Sequence, residues 1–276
     1  MFKLSFNATT LREMDLFDAL RRIQAAGYDG VELMLNETHL HPLKTSHHRI
    51  AEIRDFCLSE NIVMCAIAAG GDSVLSDKPY QPTFFDPDPS GRSRRLEFLA
   101  RSIEVAEFLG VPVIDFNSGP VHPNVSHEQS MDLLLSGVHW LLSGGGNVTL
   151  GLEPEPNFLI GTTVDAINMI QQVNNPRLRL TTDIGHVNVS EDDCYAAIER
   201  AAPFSCNMHI EDIKGRVHAH QIPGEGDIDF DRVFEILNRT GYSHYIAVEL
   251  HYHHDRWQRA LDESVAYLNR YRTVAA

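Results

Sequence analysis

Four side chains suited to binding a metal ion stand at the ends of apolar, β-prone segments in the second half of the chain. They are Glu153, Asp183, His209 and Glu249, and the intervals between them are 30, 26 and 40 residues. Each interval is about one strand-plus-helix unit, so neighbouring strands of one sheet would bring the four together. Three carboxylates and an imidazole at one point repel and raise each other's pKa values unless a cation lies between them. The spacing therefore predicts a site for one divalent metal ion.

The stretch 178–186, LRLTTDIGH, indicates how such a ligand is presented. Apolar and β-prone residues lead directly into Asp183, and His186 follows three positions later. We expect a buried parallel strand with Asp183 at its mouth. His186 is expected to turn back toward the same point, because Gly185 tolerates the positive φ that a sharp turn after a strand requires.

The elements that must position these residues are short β-prone runs alternating with longer amphipathic runs. Most helical patterns end at a glycine or before a proline. Eight strand–helix pairs within about 250 residues predict an α/β protein, a single-domain (β/α)₈ TIM barrel over residues 1–276, with its active site at the carboxyl ends of the strands. A doubly wound open sheet is the alternative. The predicted strands cover residues 3–6, 30–35, 62–67, 113–116, 148–153, 178–183, 205–209 and 245–250.

A long irregular segment follows the third predicted strand, at about residues 70–91. It contains four prolines and the aromatic residues Tyr80, Phe84 and Phe85. A loop of this length within a compact domain is usually functional, and in a barrel it would lie on the catalytic face, so we expect a lid or substrate wall. The alternative is a surface excursion whose aromatic side chains pack on a neighbouring part of the chain or on a partner in a homo-oligomer.

Composition narrows the class of protein. The 276 residues are 43% hydrophobic and 22% charged, and 38 acidic against 23 basic residues give a net charge of −15, which disfavours non-specific nucleic-acid binding. The four cysteines form no C-x-x-C pair and lie in apolar segments, so we expect reduced thiols and a cytoplasmic protein. We expect no membrane association, because a signal pattern is lacking and the longest apolar run, 62–69, is too short to cross a bilayer.

The donor set of the predicted site limits the choice of metal. Three oxygen donors and one nitrogen suit a hard to borderline cation, Mn²⁺ or Mg²⁺ first, and Co²⁺, Fe²⁺ or Zn²⁺ are compatible with the same ligands. The alternative is that the acids are neutralised by basic side chains. The basic residues nearest to them in sequence are Arg179, Lys214 and Arg216.

Taken together, the fold pattern and five motifs resemble the xylose isomerase-like TIM-barrel family over essentially the whole chain. The motifs are LE at 152–153, DIGH at 183–186, HIED at 209–212, PGEGDID at 223–229 and VE at 248–249. The similarity is to the ketose 3-epimerase branch. It implies that Glu153, Asp183, His209 and Glu249 hold the metal, that the two glutamates are the catalytic acid/base pair, and that His186 contacts the substrate.

The chemistry implied by this resemblance is isomerisation or epimerisation of a sugar or sugar phosphate. A metal bound to a carbonyl and a neighbouring hydroxyl stabilises an enediolate and so acidifies the adjacent C–H group. One carboxylate removes the proton, and its return on the opposite face gives an epimer, whereas its return to the adjacent carbon interconverts aldose and ketose. The alternatives are a metal-dependent hydrolase or phosphodiesterase, a sugar-derivative lyase or dehydratase, and a non-catalytic sugar-binding barrel.

The sequence departs from the epimerase branch at two places. A glutamate, Glu155, stands two residues after Glu153, and none stands six residues after it, so Glu155 is the candidate replacement for a substrate contact. His218 and His220 would point the same way from an extended loop, a spacing that suits a metal. They fall on the Asp-x-His of the related endonuclease IV family, so a second metal ion and a substrate contact are both open.

Further substrate contacts are predicted from position alone. Asn117 closes the fourth strand and is a candidate partner for a hydroxyl group. Arg216, with Lys214, is a candidate for holding a phosphate or carboxylate of the substrate. His251 is expected on the same side of the last strand as Glu249, because the two are separated by one residue.

Overall fold

Eight parallel strands close into a barrel in the computed structural model, which describes residues 2–70 and 74–272. The barrel order is β1-β10-β7-β6-β5-β4-β3-β2, and β8 and β9 form a separate antiparallel hairpin. The strands are β1 Lys3–Asn7, β2 Gly30–Met34, β3 Met64–Ala68, β4 Val113–Asn117, β5 Thr149–Glu153, β6 Leu178–Asp183, β7 Ser205–Ile210, β8 Asp212–Lys214, β9 Val217–Gln221 and β10 Tyr245–Val248.

Nine α-helices are present in the described residues, and most of them surround the barrel with one apolar face turned inward. Side-chain caps satisfy the first free N–H groups; Ser46, for example, accepts from Arg49 N at the start of α2. Left-handed residues such as Gly110 end other helices. The helices are α1 Leu16–Ala25, α2 His47–Glu60, α3 Pro89–Leu109, α4 His127–Ser143, α5 Thr163–Val173, α6 Ile184–Ser190, α7 Cys194–Ala201, α8 Phe230–Arg239 and α9 Trp257–Arg272.

The prediction of a (β/α)₈ barrel is confirmed, and all eight predicted strands are present with ends that differ by at most two residues. The open-sheet alternative is excluded by the pairing of β1 with β10, which joins the first strand to the last. Two elements were not predicted. Helix α6 is too short, at seven residues, to show a period, and the β8–β9 hairpin turns at Gly215 and Arg216, both with φ of 59°.

The register of the barrel places polar residues of neighbouring strands side by side. Asn7 pairs with Glu32, Asn117 with Glu153, and Asp183 with His209. Hydrogen bonds from Asn207 on β7 to Glu32 on β2 and to Asp115 on β4 join strands that are not neighbours, so these side chains lie inside the barrel. The barrel therefore has a polar interior at its carboxyl end, surrounded by an apolar layer between strands and helices.

The described part of the long loop, from residue 74 to the start of α3 at Pro89, is packed onto the barrel. Tyr80 contacts Phe158 edge-on, and Phe84 lies 5.9 Å from the ring of Phe116. The buried guanidinium of Arg95 donates to the carbonyls of Tyr80 and Pro82, and burial lowers the pKa of Arg95 to about 10. The aromatic side chains thus pack within the chain, and residues 71–73 of the predicted loop lie outside the described residues.

Two further predictions concern the cysteines and the membrane. All four cysteines are free thiols; Cys57 and Cys65 are buried, and Cys194 and Cys206 are half-buried. Over the described ranges, none of the helices has the length and apolar character that a membrane span requires.

Candidate metal centre and active site

The four predicted ligands meet at the carboxyl end of the barrel. Ligand atoms of Glu153, Asp183, His209 and Glu249 all lie within 4.8 Å of one another, and all four residues are buried. The Nδ1 atom of His209 lies 2.8 Å from Oε1 of Glu153, 3.5 Å from Oε2 of Glu249 and 3.9 Å from Oδ2 of Asp183. Strands β5, β6 and β7 and the residue after β10 supply them, as the spacing predicts.

The charge of this group is compensated by histidine alone among the described residues. The ion pairs of Glu153, Asp183 and Glu249 involve imidazoles, and no arginine or lysine of the described residues takes part. Arg179, one of the basic residues nearest in sequence, instead donates to the carbonyls of Pro203 and Phe204. The alternative in which basic side chains neutralise the acids is therefore wrong.

The pKa values in the site reflect burial and this crowding. Burial raises the pKa of Glu153 and, well above its ordinary value, that of Asp183, with neighbouring carboxylates adding to the rise. The pKa of His209 is also raised: burial alone would lower it, and the carboxylates of Glu32 and Glu249 outweigh burial. Glu249 departs from the predicted upward shift. Burial raises its pKa, but His209 and His251 outweigh burial and hold it well below its usual range.

The donor set fits a divalent cation. Asp183 accepts the backbone N–H of His186 with Oδ1, whereas its Oδ2 is buried without a hydrogen-bond partner. A buried carboxylate oxygen without a partner is unfavourable in the absence of a ligand. That oxygen lies within the four-residue group, so a cation bound there would satisfy it and reduce the repulsion between the three acids.

A second polar layer lies directly below these ligands and was not predicted. Glu32 and Asp115 are fully buried and are bridged by the side-chain amide of Asn207, which donates to both. Thr181 also donates to Asp115. Burial, together with the carboxylate of Asp115 and against the effect of His209, raises the pKa of Glu32 to about 7. The only sequence signal for this layer was charged residues inside otherwise apolar strands, DGVEL and VIDF.

A cluster of three histidines around Glu211 borders the candidate metal site. The ring of His218 lies 4.6 Å from that of His186 and 4.4 Å from that of His220, so the two histidines of β9 share a side as predicted. Ligand atoms of these three residues and Glu211 lie within 4.8 Å of one another, which would also suit a cation. Burial raises the pKa of Glu211, but the imidazoles of His220 and His218 outweigh burial and hold it well below its usual range.

Gly185 has a role different from the predicted one. It lies in α6 and does not have the positive φ expected of a sharp turn, because Asp183 caps the helix directly. A Cβ atom at Gly185 would overlap the carboxylate of Glu211. The glycine therefore makes room for the acid on which the histidine cluster is assembled.

A cavity of about 340 Å³ opens above the two groups, large enough for a small ligand such as a sugar. The predicted residues Glu153, Glu249, His186, Glu155, Asn117, His218, His220 and His251 line it, together with Arg12, Met34, Ala68, Gly70, Tyr80, Asp115 and Tyr252. Arg12 and Tyr252 were not predicted as lining residues, whereas Tyr80 belongs to the long loop expected to form a lid or substrate wall. Arg12 lies at the end of a single 3₁₀ turn, where no periodic pattern points to it.

Arg216 does not reach this cavity, and its predicted role in holding a substrate anion is not supported. It occupies the exposed turn of the β8–β9 hairpin, and its guanidinium donates to the carbonyls of Val189 and Glu191. Lys214 is likewise exposed on β8. The reason is the tight hairpin turn, which directs both side chains away from the barrel mouth while β9 brings His218 and His220 over it.

Comparisons with known proteins agree with this architecture. A model of the xylose isomerase-like TIM barrel family matches residues 20–271. The chain is 24% identical over 237 residues to L-ribulose-5-phosphate 3-epimerase of Shigella flexneri serotype 5b, an alignment that covers 84% of this chain and 81% of that protein. D-psicose 3-epimerase of Clostridium cellulolyticum H10, solved with D-tagatose, superposes with a TM-score of 0.80 at 19% identity and 99% coverage of each chain.

A third comparison is with a structure that contains a metal. The IolI protein, solved with a zinc atom, superposes with a TM-score of 0.80 at 20% identity, covering 98% of this chain and 99% of that one. The chain belongs to the xylose isomerase-like TIM barrel family. With epimerases among its relatives, it is an enzyme of the isomerase and epimerase class.

Proposed function

We propose that the protein is a divalent-metal-dependent isomerase or epimerase of a sugar or sugar phosphate, which acts by proton transfer next to a carbonyl group. The observation that carries the proposal is the convergence of Glu153, Asp183, His209 and Glu249 beneath the cavity. The relatives that act on ribulose phosphate or bind tagatose support the substrate class.

The four converging residues would hold the cation, Mn²⁺ first and Mg²⁺, Co²⁺, Fe²⁺ or Zn²⁺ as compatible ions. A cation there would polarise a substrate carbonyl and so would acidify the neighbouring C–H group. Glu153 and Glu249 both line the cavity, and a carboxylate oxygen of each faces Nδ1 of His209. One carboxylate takes the proton and the other returns it, so the two glutamates are the acid/base pair.

The surrounding residues would orient the sugar. Asn117 has a buried Oδ1 without a hydrogen-bond partner in the described structure, so it can accept from a substrate hydroxyl. Burial, with the carboxylates of Glu153 and Glu249, raises the pKa of Glu155 well above its ordinary value, and this carboxyl group lines the cavity, where it can hydrogen-bond to a substrate hydroxyl. His186, His218 and His220 form the wall next to Glu155. Tyr80 from the long loop forms another part of the wall, consistent with the proposed lid.

The test is exchange of substrate hydrogen with deuterated solvent. Protein stripped with EDTA and reloaded with Mn²⁺ would be incubated in D₂O with ketoses, inosoles and their phosphates, and mass spectrometry would follow deuterium incorporation. We expect incorporation at the carbon next to the carbonyl, together with an isomeric product. Binding without exchange would favour a sugar-binding barrel, and loss of water from the sugar would favour a lyase or dehydratase. Either outcome would overturn the proposal.

A cytoplasmic location and a homo-oligomeric state complete the proposal. The free thiols support the first. Light scattering of the purified protein measures its mass in solution and so tests the homo-oligomeric state. A mass of 31.0 kDa, that of one chain, would refute it.

A further inference from the structure

Asn7 and Glu32 lie beneath the metal ligands and contact two of them. They are paired residues of the neighbouring strands β1 and β2 and are fully buried. Neither is among the residues that line the cavity in the described structure, so a substrate in that cavity does not touch them. What they contact is His209 and Glu249, one ligand imidazole and one glutamate of the proposed acid/base pair.

The orientation of the Asn7 amide is determined by its surroundings. Its Oδ1 accepts the backbone N–H of Thr9 at 2.9 Å, which caps the 3₁₀ turn after β1. The Nδ2 group must therefore face the interior of the barrel. There it donates one hydrogen bond to Oε1 of Glu32 at 2.6 Å and another to Oε1 of Glu249 at 2.9 Å. Oε1 of Glu249 is held in this way, and its Oε2 is left facing Nδ1 of His209.

Glu32 determines how His209 is presented. Its Oε1 lies 3.0 Å from Nε2 of His209, while Nδ1 on the other side of the ring faces Glu153. A cation bound among Glu153, Asp183 and Glu249 would take the lone pair of Nδ1, and Nε2–H would then donate to Glu32. Glu32 also accepts from Asn7 and Asn207, so three donors converge on it and fix its rotamer.

We propose that Asn7 and Glu32 act as a positioning pair that holds His209 and Glu249 in ligand geometry without contacting the substrate. The inference rests on the metal site of the proposed function. Residues that orient metal ligands through hydrogen bonds typically change metal affinity about 10- to 100-fold when replaced. Loss of either partner releases one ligand, and the other partner loses a hydrogen bond at the same time.

Two variants separate this role from ordinary structural support. Asn7→Ser keeps a side-chain oxygen that can cap Thr9 N and removes both N–H donors without adding charge. Glu32→Gln is close in shape but places an NH₂ group among three donors. Ser205→Ala is the matched control, because it removes buried hydrogen bonds to Ala201 O and Thr182 Oγ1 from the same strand as His209, away from the ligands.

The experiment is calorimetric titration of the metal-free full-length proteins with Mn²⁺, with circular dichroism to verify folding. We expect Kd to rise about 10- to 100-fold in Asn7→Ser and in Glu32→Gln and to be unchanged in Ser205→Ala. The visible absorption of the Co²⁺-loaded variants should also differ from that of the wild type, because this band reports ligand geometry. Having two separate variants keeps the test decisive if one of them fails to fold.

The outcomes distinguish this inference from the proposed function. Wild-type protein that binds neither Mn²⁺ nor Co²⁺ would overturn the metal site and the positioning pair together. Wild-type binding with both variants within threefold of its Kd, and with unchanged Co²⁺ spectra, would overturn the positioning pair alone. The same loss of affinity in Ser205→Ala would show a general structural effect and would also overturn it.

Discussion

The side-chain amide of Asn7 donates a 2.9 Å hydrogen bond to Glu249, although 242 residues separate them. The contact exists because β1 and β10 close the barrel, with Phe6 paired to Val248 one position earlier on each strand. The first strand therefore supports a proposed metal ligand that directly follows the last one. The integrity of the candidate site depends on barrel closure as much as on the ligands themselves.

Replacing either glutamate of the proposed acid/base pair should stop proton transfer. At saturating Mn²⁺, we expect Glu153→Gln and Glu249→Gln each to slow solvent-deuterium exchange at least about 100-fold, because a neutral amide cannot take up the proton. Glu52→Gln, on the exposed face of α2, is the control with the same chemical change. Exchange at the wild-type rate in either site variant would rule out the assigned pair.

Glu155 is expected to affect substrate binding more than metal binding. We expect Glu155→Ala to raise KM about tenfold, the effect of losing one buried hydrogen bond, while the Kd for Mn²⁺ changes little. Steady-state kinetics and metal titration measure the two effects separately.

Arg216→Ala should leave KM unchanged and lower Tm, because this guanidinium donates hydrogen bonds to the carbonyls of Val189 and Glu191. A larger rise of KM in Arg216→Ala than in Glu155→Ala would contradict the structure.

Gly185 should tolerate no side chain. The Cβ atom of alanine would collide with the carboxylate of Glu211, so Gly185→Ala is expected to lower stability by about 1–3 kcal/mol and to displace His218 and His220. Denaturant unfolding gives the free energy, and KM reports the displaced histidines. Gly144→Ala is the control, because its Cβ would meet nothing closer than 3.4 Å. Equal effects of the two substitutions would refute the role assigned to Gly185.

Metal removal should make stability depend on pH. The pKa of Glu32 is raised to about 7 and those of Asp183 and His209 are raised, so in the metal-free folded state these groups bind protons more tightly than in the unfolded chain. Their stabilising effect is present at low pH and is lost as pH rises through the folded pKa values. The lowered pKa values of Glu249 and of buried histidines such as His186, about 3, act in the opposite direction, but only below about pH 4.5 for Glu249 and below about pH 6.5 for the histidines.

We therefore expect the Tm of EDTA-treated protein to fall between about pH 6.5 and pH 8, where the lowered histidine pKa values no longer contribute, and excess Mn²⁺ to restore it most strongly at the upper end. Differential scanning fluorimetry across this range, with and without Mn²⁺, makes the measurement. A Tm of the metal-free protein that rises with pH would contradict the assignment of these shifts.

The sequence predicted correctly the repeating strands and the residues that stand at their ends. The eight strands were visible because a β-prone run bounded by turn residues carries a local signal. The convergence of the four candidate ligands was visible because each stands at or next to the end of such a run. Helix α6 and the β8–β9 hairpin were too short for a period. Arg216 was misplaced for that reason, since its side chain follows the hairpin turn and not the direction of a barrel strand.

The order of residue types along the chain determined the fold class and which four side chains would converge, because strand spacing and strand ends are local properties of sequence. Only the tertiary structure decided which atoms meet. The contacts of Asn7 with Glu249, of Glu32 with His209 and of Gly185 with Glu211 join positions far apart in sequence or depend on a close approach of one side chain to a backbone. Such contacts follow from the closure and register of the barrel, which no single segment encodes.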